Sequence, residues 1–332
     1  MKSILLIRYS ALGDVVLATS LVAPLREKFP GVRIEWVTDK AYAGLLEGVV
    51  DRVIPISRKD VASRVAALRE VRGRFDLAID LQNKLWSIRA SRAAAPKRLR
   101  FVRRTALQAL GSLVGRDVIL NELPQTELYA RAAQVSPPGA LQVHVSAEAK
   151  ARAEQLMPGE KWVAVAPGAA WATKRWPADR LAEVAKSLRA DGYRIALVGG
   201  PMDGELLDVI RAGASPEADL SAESLTGVAA GLQRAQLLIG NDSGLVHVAT
   251  ALGKPALAIF GPTSVKRWGP RPPGAAVSLN LSCSPCTNHG SEKCPLGHHH
   301  CMLKLEASMV LSRARELLRS PSPRGGEGRG EG

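Results

Sequence analysis

The chain has 332 residues, more than most single compact domains contain, and this length predicts two domains. Apolar residues make up 46% and charged residues 23%, a composition typical of folded proteins that excludes a largely disordered chain. The formal net charge of +14 favours polyanionic partners, such as nucleic acid, phosphorylated ligands or an anionic membrane surface.

The sequence carries no export or membrane signal. Between Lys2 and Arg8 only residues 4–7 are apolar, too few for the core of a secretory signal. No stretch reaches the roughly 18 uncharged apolar residues that a membrane-spanning helix needs. We therefore expect a cytoplasmic protein.

The chain alternates short apolar runs with longer amphipathic ones, a pattern that predicts parallel sheets covered by helices. In the first half, strands are predicted at residues 3–8, 33–37, 52–56 and 77–81, and helices at 15–29, 60–72 and 85–94. In the second half, strands are predicted at 162–166, 194–198, 237–239 and 255–260, with helices at 177–189 and from 244 to about 252.

A segment with three Pro or Gly residues, at 135–141, is the predicted linker between the two halves. We therefore predict an α/β protein with two doubly wound domains, residues 1–140 and 141–319, that face each other across a cleft. Ligands of such sheets bind beyond the carboxyl ends of the strands, so the cleft is the predicted active site. Residues 320–332 lack apolar side chains and are predicted to be disordered.

The positive charge is concentrated in the first half of the chain. Between Asp80 and Asp117 there is no acidic residue, whereas nine basic ones occur: Lys84, Arg89, Arg92, Lys97, Arg98, Arg100, Arg103, Arg104 and Arg116. We interpret this stretch as an anion-facing surface. A solvated helix face followed by a loop is the alternative.

The loop after the first strand supplies the first candidate site residues. Gly13 permits a tight turn, and Asp14 directly precedes an apolar, periodic segment. Asp14 either caps the helix, because aspartate is favoured there, or faces the cleft and takes a proton from an incoming nucleophile. The dinucleotide fingerprint G-x-G-x-x-G is absent, which argues against an NAD-dependent dehydrogenase.

A second loop, at residues 167–177, follows a strand of the second half. Its small residues allow a ligand to approach the backbone closely, and the hydroxyl of Thr173 and the ammonium of Lys174 suit phosphate oxygens. A surface loop with incidental cations is the alternative.

A third loop leads from a strand into a helix at residues 240–247. The amides of Ser243, Gly244 and Leu245 would direct the positive end of the helix dipole toward a diphosphate. In the alternative interpretation, Asp242 only caps this helix and His247 is a buried polar group.

All four cysteines lie in one segment, as Cys283, Cys286, Cys294 and Cys301, with His289 and the histidines at 298–300 nearby. In a reducing compartment this cluster is a candidate structural site for Zn²⁺ or iron. Reduced thiols that pack a loop are the alternative.

In combination and in this order, five segments resemble the family 9 glycosyltransferases, the ADP-heptose:lipopolysaccharide heptosyltransferases. They are "ILLIRYSALGDVVLATSLVAPLREKFP", "PGAAWATKRWP", "LVGGPMD", "GNDSGLVHVATALGKPALAIFGPTS" and "CSPCTNHGSEKCPLGHHHCM". The last segment looks most like the heptosyltransferase II branch, which adds the second inner-core heptose.

The resemblance implies a GT-B fold in which the first domain mainly binds the acceptor and the second binds the nucleotide-sugar. It also implies an inverting transfer from ADP-L-glycero-D-manno-heptose that requires no metal or other cofactor. The implied acceptor is lipid A–Kdo–heptose at the inner-membrane surface, so the enzyme would be cytoplasmic, either free or peripheral on that membrane.

The resemblance also assigns roles to residues. Asp14 matches the catalytic base, Lys174 the catalytic ligand to phosphate and sugar, and Asp242 the ligand to the heptose hydroxyls. The other implied substrate-binding residues are Gly13, Thr173, Ser243, Gly244, Leu245 and His247, and Glu205 matches an acid that contacts the ribose.

Three alternatives remain open. In the first, the protein is an enzyme of the same family that uses another nucleotide-sugar or another surface-glycan acceptor. In the second, it binds nucleotide-sugars without catalysis, an interpretation that Asp14 argues against. A nucleic-acid-binding protein is the third. Against it, the basic stretch contains only Trp86 and Phe101 as aromatic residues and shows no RRM, KH or helix-turn-helix signature. The sequence predicts no oligomeric state.

Overall fold

Two parallel β-sheets form the framework of the protein. The structure, a computed structural model, describes residues 1–102 and 123–319. Arg103, Arg104 and Arg116 of the basic stretch, and the tail at 320–332, lie outside these described residues.

The first sheet has the strand order β3-β2-β1-β4-β5, and all of its strands run parallel. The strands are β1 (Ser3–Ile7), β2 (Arg33–Asp39), β3 (Arg52–Ile56), β4 (Leu77–Asp80) and β5 (Lys97–Arg100). The helices are α1 (Leu12–Ala18), α2 (Val22–Lys28), α3 (Val61–Val71), α4 (Leu85–Ala94) and α5 (Gln125–Ala132).

The second sheet is also parallel, with the order β11-β10-β9-β6-β7-β8. Its strands are β6 (Trp162–Ala166), β7 (Arg194–Leu197), β8 (Ala218–Asp219), β9 (Leu237–Asn241), β10 (Ala256–Ile259) and β11 (Ala275–Val277). The helices are α6 (Ala147–Leu156), α7 (Ala178–Ala190), α8 (Gly204–Ala214), α9 (Leu225–Arg234), α10 (Gly244–Ala251), α11 (Val265–Trp268), α12 (His300–Leu303) and α13 (Ala307–Arg319).

Both faces of each sheet are buried, because successive strand residues enter different hydrophobic clusters. In β1, Ile4 and Leu6 lie in one cluster and Leu5 in another. The cluster of Ile4 also contains Ala164 of the second sheet, so a continuous apolar core joins the two halves. The two predicted doubly wound units are therefore present, while the predicted boundary at residue 140 stays a prediction.

The strand order places a topological switch point in each sheet. The order reverses between β1 and β4 in the first sheet and between β6 and β9 in the second. A crevice forms where neighbouring connections leave a sheet in opposite directions, and ligands bind there. The three loops that the sequence analysis identified as sources of site residues follow β1, β6 and β9.

The structure corrects one predicted helix. The segment expected to form one helix at residues 15–29 is divided into α1 and α2 by a short 3₁₀ turn at Thr19–Leu21. The hydroxyls of Thr19 and Ser20 donate hydrogen bonds of 2.6 and 2.7 Å to the carbonyls of Val16 and Leu17. Such local side-chain bonds compete with regular helix geometry.

Among the described residues, no helix combines the length and the apolarity that crossing a membrane requires.

Candidate active site

Asp14 lies in the first turn of α1, directly beyond the carboxyl end of β1. Its Oδ1 accepts a hydrogen bond of 2.6 Å from the Tyr129 hydroxyl, and its Oδ2 forms an ion pair with Nη2 of Arg8. Arg8 is fully buried and also donates a hydrogen bond of 2.6 Å to the Leu81 carbonyl. The N-cap of α1 is Ala11, so the interpretation of Asp14 as the helix cap is wrong.

The loop after β4 holds the loop of Asp14 in place. Oε1 of Gln82 accepts hydrogen bonds of 3.1 Å from the amides of Tyr9 and Ser10, and its Nε2 donates one of 3.0 Å to the Ser10 hydroxyl. Asp80 in turn accepts bonds from the amides of Gln82 and Asn83. These buried polar contacts fix the direction in which α1 begins.

Lys174 and Asp242 form an ion pair on the opposite side of the cleft. Nζ of Lys174 lies 2.8 Å from Oδ2 of Asp242, and the two side chains are 12% and 6% exposed. The hydroxyl of Thr263 donates a hydrogen bond of 2.6 Å to the same carboxylate oxygen. A nearly buried lysine is therefore held at a defined position by a nearly buried carboxylate.

The helix α10 begins beside this pair. Ser243 is its N-cap residue but makes no capping hydrogen bond, and its buried hydroxyl has no partner among the described residues. The first amides of a helix have no partner within the helix and carry its positive dipole end. Ser243, Gly244 and Leu245 thus lie at the N-terminus of α10, and their contact with a ligand stays a prediction.

The N-terminal ends of α1 and α10 meet across the cleft because both contain glycine. A Cβ atom on Gly13 would lie 2.9 Å from Cδ2 of His247 and 3.4 Å from Cα of Gly244. A Cβ atom on Gly244 would lie 2.7 Å from the Leu12 side chain. The two glycines therefore bring Asp14 of one half and the N-terminus of α10 of the other half into one site.

We expect Gly13→Ala to lower kcat/KM at least tenfold for the sugar transfer that the family resemblance implies, because the added methyl group pushes the two helix ends apart. Gly204→Ala is the matched control, since a Cβ atom at Gly204 meets no atom within 4 Å. Thermal unfolding and steady-state kinetics of both variants test this expectation. Equal activity of the two variants would contradict it.

His247 is buried behind Gly13, and burial lowers its pKa from 6.5 to about 4. The charges of Asp242, Lys174, Asp14 and Arg271 act in smaller and opposing ways. His247 is therefore neutral at physiological pH. Its placement agrees with the alternative of a buried polar group, and it also lines the cavity described below.

The depressed pKa of His247 makes stability depend on pH. The unfolded chain takes up this proton near pH 6.5 but the folded chain only near pH 4, so stability present above pH 6.5 is lost as the pH falls. The shift corresponds to about 3 kcal/mol in the free energy of unfolding. We expect His247→Gln to remove this part of the loss in urea titrations between pH 7 and 4. An unchanged slope would contradict the assignment.

The residues from both halves surround a central cavity of about 350 Å³. Asp14 lies on its first-half side, and Lys174, Asp242 and Ser243 lie on its second-half side. The cavity therefore presents the carboxylate of Asp14 across from the ion pair of Lys174 with Asp242 and a helix N-terminus. Such a site suits the removal of a proton on one side and the stabilisation of a departing anion on the other.

A second cavity of about 540 Å³ shares Ser243 and Gly244 with the central cavity. We call it the glycine-lined cavity, because Gly168, Gly199, Gly200 and Gly244 form its wall. Its acidic side chains are Asp203 and Glu223, and Tyr42 and Leu225 also line it. A wall of small residues with a few polar groups suits a nucleoside that lies next to the amides at the N-terminus of α10.

Two predicted binding residues lie elsewhere. Glu205 is exposed and does not line the glycine-lined cavity, whose acids are instead Asp203 and Glu223. Thr173 is buried, and its hydroxyl donates a 2.8 Å hydrogen bond to the Ser291 carbonyl and accepts one of 2.9 Å from the Ser291 amide. Thr173 thus anchors the segment around Ser291 beside Lys174. The substrate contacts of Thr173 and Glu205 stay predictions.

None of the four cysteines, all of which lie among the described residues, forms a disulfide. Burial and the other three thiols raise the pKa of Cys301 to about 11, so this thiol stays protonated at neutral pH. Within residues 1–102 and 123–319, no group of three His, Cys, Asp or Glu side chains is arranged to hold a metal ion. A structural metal stays a prediction, and metal analysis of protein purified without nickel resin tests it.

The site contains residues that the sequence did not single out as functional. Arg8 and Tyr129 hold Asp14 in place. The amide of Asn241 ties two loops of the second half together, since it accepts from the Trp176 amide and donates 2.7 Å to the Pro167 carbonyl. The local sequence around these residues does not indicate their hydrogen bonds and ion pairs, because the partners come from distant segments of the chain.

Comparison with known proteins agrees with this architecture. Residues 64–298 match the family model "Glycosyltransferase family 9 (heptosyltransferase)". Lipopolysaccharide heptosyltransferase 1 of Pseudomonas aeruginosa is 28% identical over 314 residues, which cover 85% of this chain and 85% of that protein. Lipooligosaccharide heptosyltransferase 2 of Haemophilus influenzae is 25% identical over 353 residues, which cover 95% and 99%.

The solved structure of the Escherichia coli ADP-heptose lipopolysaccharide heptosyltransferase II is similar to this one, with a TM-score of 0.75 and 25% identity. The similarity covers 96% of this chain and 98% of that one. The expected fold, two Rossmann-like domains of the GT-B type, is therefore confirmed. Since the family model matches most of the chain, the protein belongs to glycosyltransferase family 9 and is a glycosyltransferase.

Proposed function

We propose that this enzyme transfers L-glycero-D-manno-heptose from its ADP derivative to the inner core of lipopolysaccharide, as the second heptose. The observation that carries the proposal is the central cavity, where Asp14 lies across from Lys174 and the N-terminus of α10. The heptosyltransferase names of the relatives support the sugar, and the name of the solved relative supports ADP as its carrier. The late cysteine segment supports the second heptose, because it resembles the heptosyltransferase II branch.

The cavities suggest how the donor lies. The adenosine would occupy the glycine-lined cavity, and the diphosphate would lie against Ser243, Gly244 and Lys174, where the two cavities join. The heptose would then lie in the central cavity, within reach of Asp242. Asp14 would lie on the opposite side of the sugar from the diphosphate.

This arrangement accounts for an inverting transfer. Asp14 accepts the proton of an acceptor hydroxyl as its oxygen attacks the anomeric carbon from the face opposite the diphosphate. The bond from this carbon to the phosphate oxygen breaks, and its electron pair leaves with ADP. One displacement inverts the configuration at the anomeric carbon.

We propose that these donors take the part that a metal ion plays in other transferases. Charge grows on the leaving diphosphate as its bond breaks, so Lys174, the Ser243 hydroxyl and the helix amides stabilise the transition state more than the ground state. We expect the transfer rate to be unchanged by EDTA. A rate restored only by added Mg²⁺ or Mn²⁺ would contradict this part of the proposal.

Transfer to defined acceptors tests the proposal. ADP-L-glycero-D-manno-heptose is supplied with inner-core acceptors that carry either no heptose or one heptose. We expect transfer only to the acceptor that carries one heptose. Transfer to the heptose-free acceptor would assign the first heptose instead, and binding of ADP without transfer to either would move the enzyme to another glycan.

A further inference from the structure

A third cavity, of about 490 Å³, has Asp14 in its wall and shares no described lining residue with the glycine-lined cavity. We call it the basic cavity, because Lys84 and Arg267 line it, and Asp14 is the acidic residue in its described wall. It shares five of its described lining residues with the central cavity: Asp14, Lys84, Trp268, Asn288 and His289. A molecule in the basic cavity can therefore reach both the base and the reacting sugar.

Gln125 and Arg267 form the part of this wall where the two halves of the protein meet. Gln125 is the first residue of α5, and Arg267 belongs to α11 of the second half. Nε and Nη2 of Arg267 donate hydrogen bonds of 3.1 and 2.9 Å to Oε1 of Gln125. Nη1 donates a further bond of 3.1 Å to Oδ1 of Asn288.

These bonds fix the orientation of the Gln125 amide. An arginine side chain only donates hydrogen bonds, so the atom facing it must be the amide oxygen. The amide nitrogen, Nε2, consequently points away from Arg267. It is buried and has no hydrogen-bond partner among the described residues, and Gln125 as a whole is 1% exposed.

A buried donor without a partner is costly, so native structures seldom keep one without a role. Here the donor belongs to the wall of a cavity that also contains the base, a lysine and two asparagines, Asn83 and Asn288. This set of groups suits an oxygen that carries negative charge.

We propose that the basic cavity receives the acceptor and that Gln125 determines acceptor specificity, its Nε2 donating to an anionic oxygen close to the attacking hydroxyl. The anionic group is a carboxylate or a phosphate of the acceptor glycan. The inference rests on the proposed function, since it concerns the acceptor of the same reaction. It also implies that the nucleotide-binding half takes part in acceptor binding, because Arg267 holds the amide in this orientation.

Gln125→Glu tests this assignment with a minimal change of shape. The new carboxylate still accepts from Arg267, so the fold is kept, but the donor is replaced by a negatively charged oxygen. We expect the KM for the acceptor to rise at least tenfold, while the KM for the nucleotide-sugar stays unchanged and the melting temperature does not fall. Gln233→Glu is the matched control, because Gln233 is exposed on α9.

Acceptors with altered charge identify the anionic group. One lacks the phosphate, and in another the sugar carboxylate is reduced to an alcohol. The acceptor that lacks the recognised anion should be used equally by the wild type and by Gln125→Glu. If the variant keeps the wild-type KM for every acceptor, or loses affinity equally for charged and uncharged ones, the assignment is overturned.

The experiment separates this inference from the proposed function. Failure of the wild type to transfer heptose would refute the proposed function alone. The same comparison of KM values is then made with whichever nucleotide-sugar and acceptor glycan a screen finds the wild type to use.

Discussion

Replacing Asp14 with asparagine is expected to lower kcat by about 10³-fold, the range by which a positioned general base accelerates proton transfer. The amide has the size of the carboxylate but cannot accept the proton of the acceptor hydroxyl. Binding of ADP should persist, because Lys174, Ser243 and Gly244 lie on the other side of the central cavity. Initial rates and calorimetric titration with ADP measure the two effects separately.

The main competing effect is on folding. The Asp14→Asn substitution would leave the fully buried guanidinium of Arg8 without its carboxylate partner, and the melting temperature is expected to fall. Rates are therefore compared well below the melting temperature of the variant. Tyr129→Phe removes the hydroxyl that donates the 2.6 Å hydrogen bond to Oδ1 of Asp14, so it should lower kcat by about tenfold without unpairing Arg8.

Asp76→Asn is the matched control for the loss of a carboxylate. Asp76 belongs to the same half but lies at the opposite edge of the sheet, where Oδ2 accepts from the amides of Lys2 and Ser3 at 2.6 and 3.0 Å. This variant should retain the wild-type kcat. If Asp14→Asn retained more than a tenth of the wild-type kcat, Asp14 would not be the base.

The sequence was most informative where function depends on neighbours in the chain. Asp14, Lys174 and Asp242 all lie in or just after the loops that follow buried apolar strands, and parallel strands end at the same edge of a sheet. Their convergence on one cleft could therefore be predicted without knowledge of any tertiary contact. The division of the first predicted helix was missed because hydroxyl–carbonyl bonds of Thr19 and Ser20 override a continuous apolar period.

The sequence was least informative where two distant segments share a contact. Tyr129 is 115 positions from Asp14, and Arg267 is 142 positions from Gln125. The first pair exists because α5 packs against α1 within the first half, and the second because the two halves pack together, so no local pattern encodes either pair. Asp203 lines the glycine-lined cavity, whereas Glu205, two residues later in the chain, is exposed, and the contact of Glu205 with a ribose stays a prediction.

Replacing Lys174 with alanine is expected to lower kcat by 10²- to 10³-fold, about the effect of removing one preorganised donor from a developing anion. It should also weaken the binding of ADP. The ammonium lies 2.8 Å from Asp242 and is nearly buried, so it reaches the site without the entropy loss of an exposed lysine. Lys186→Ala, on the exposed face of α7, is the matched control and should behave as the wild type.

Lys174→Ala also leaves Asp242 nearly buried without its cation, which costs on the order of 3 kcal/mol of stability. The double variant Lys174→Ala/Asp242→Asn separates this structural loss from the catalytic one. Removal of the carboxylate charge should restore most of the melting temperature, because an amide still accepts the bond from Thr263. The kcat should stay low, because no ammonium faces the leaving diphosphate. Recovery of kcat together with stability would mean that Lys174 only neutralises Asp242.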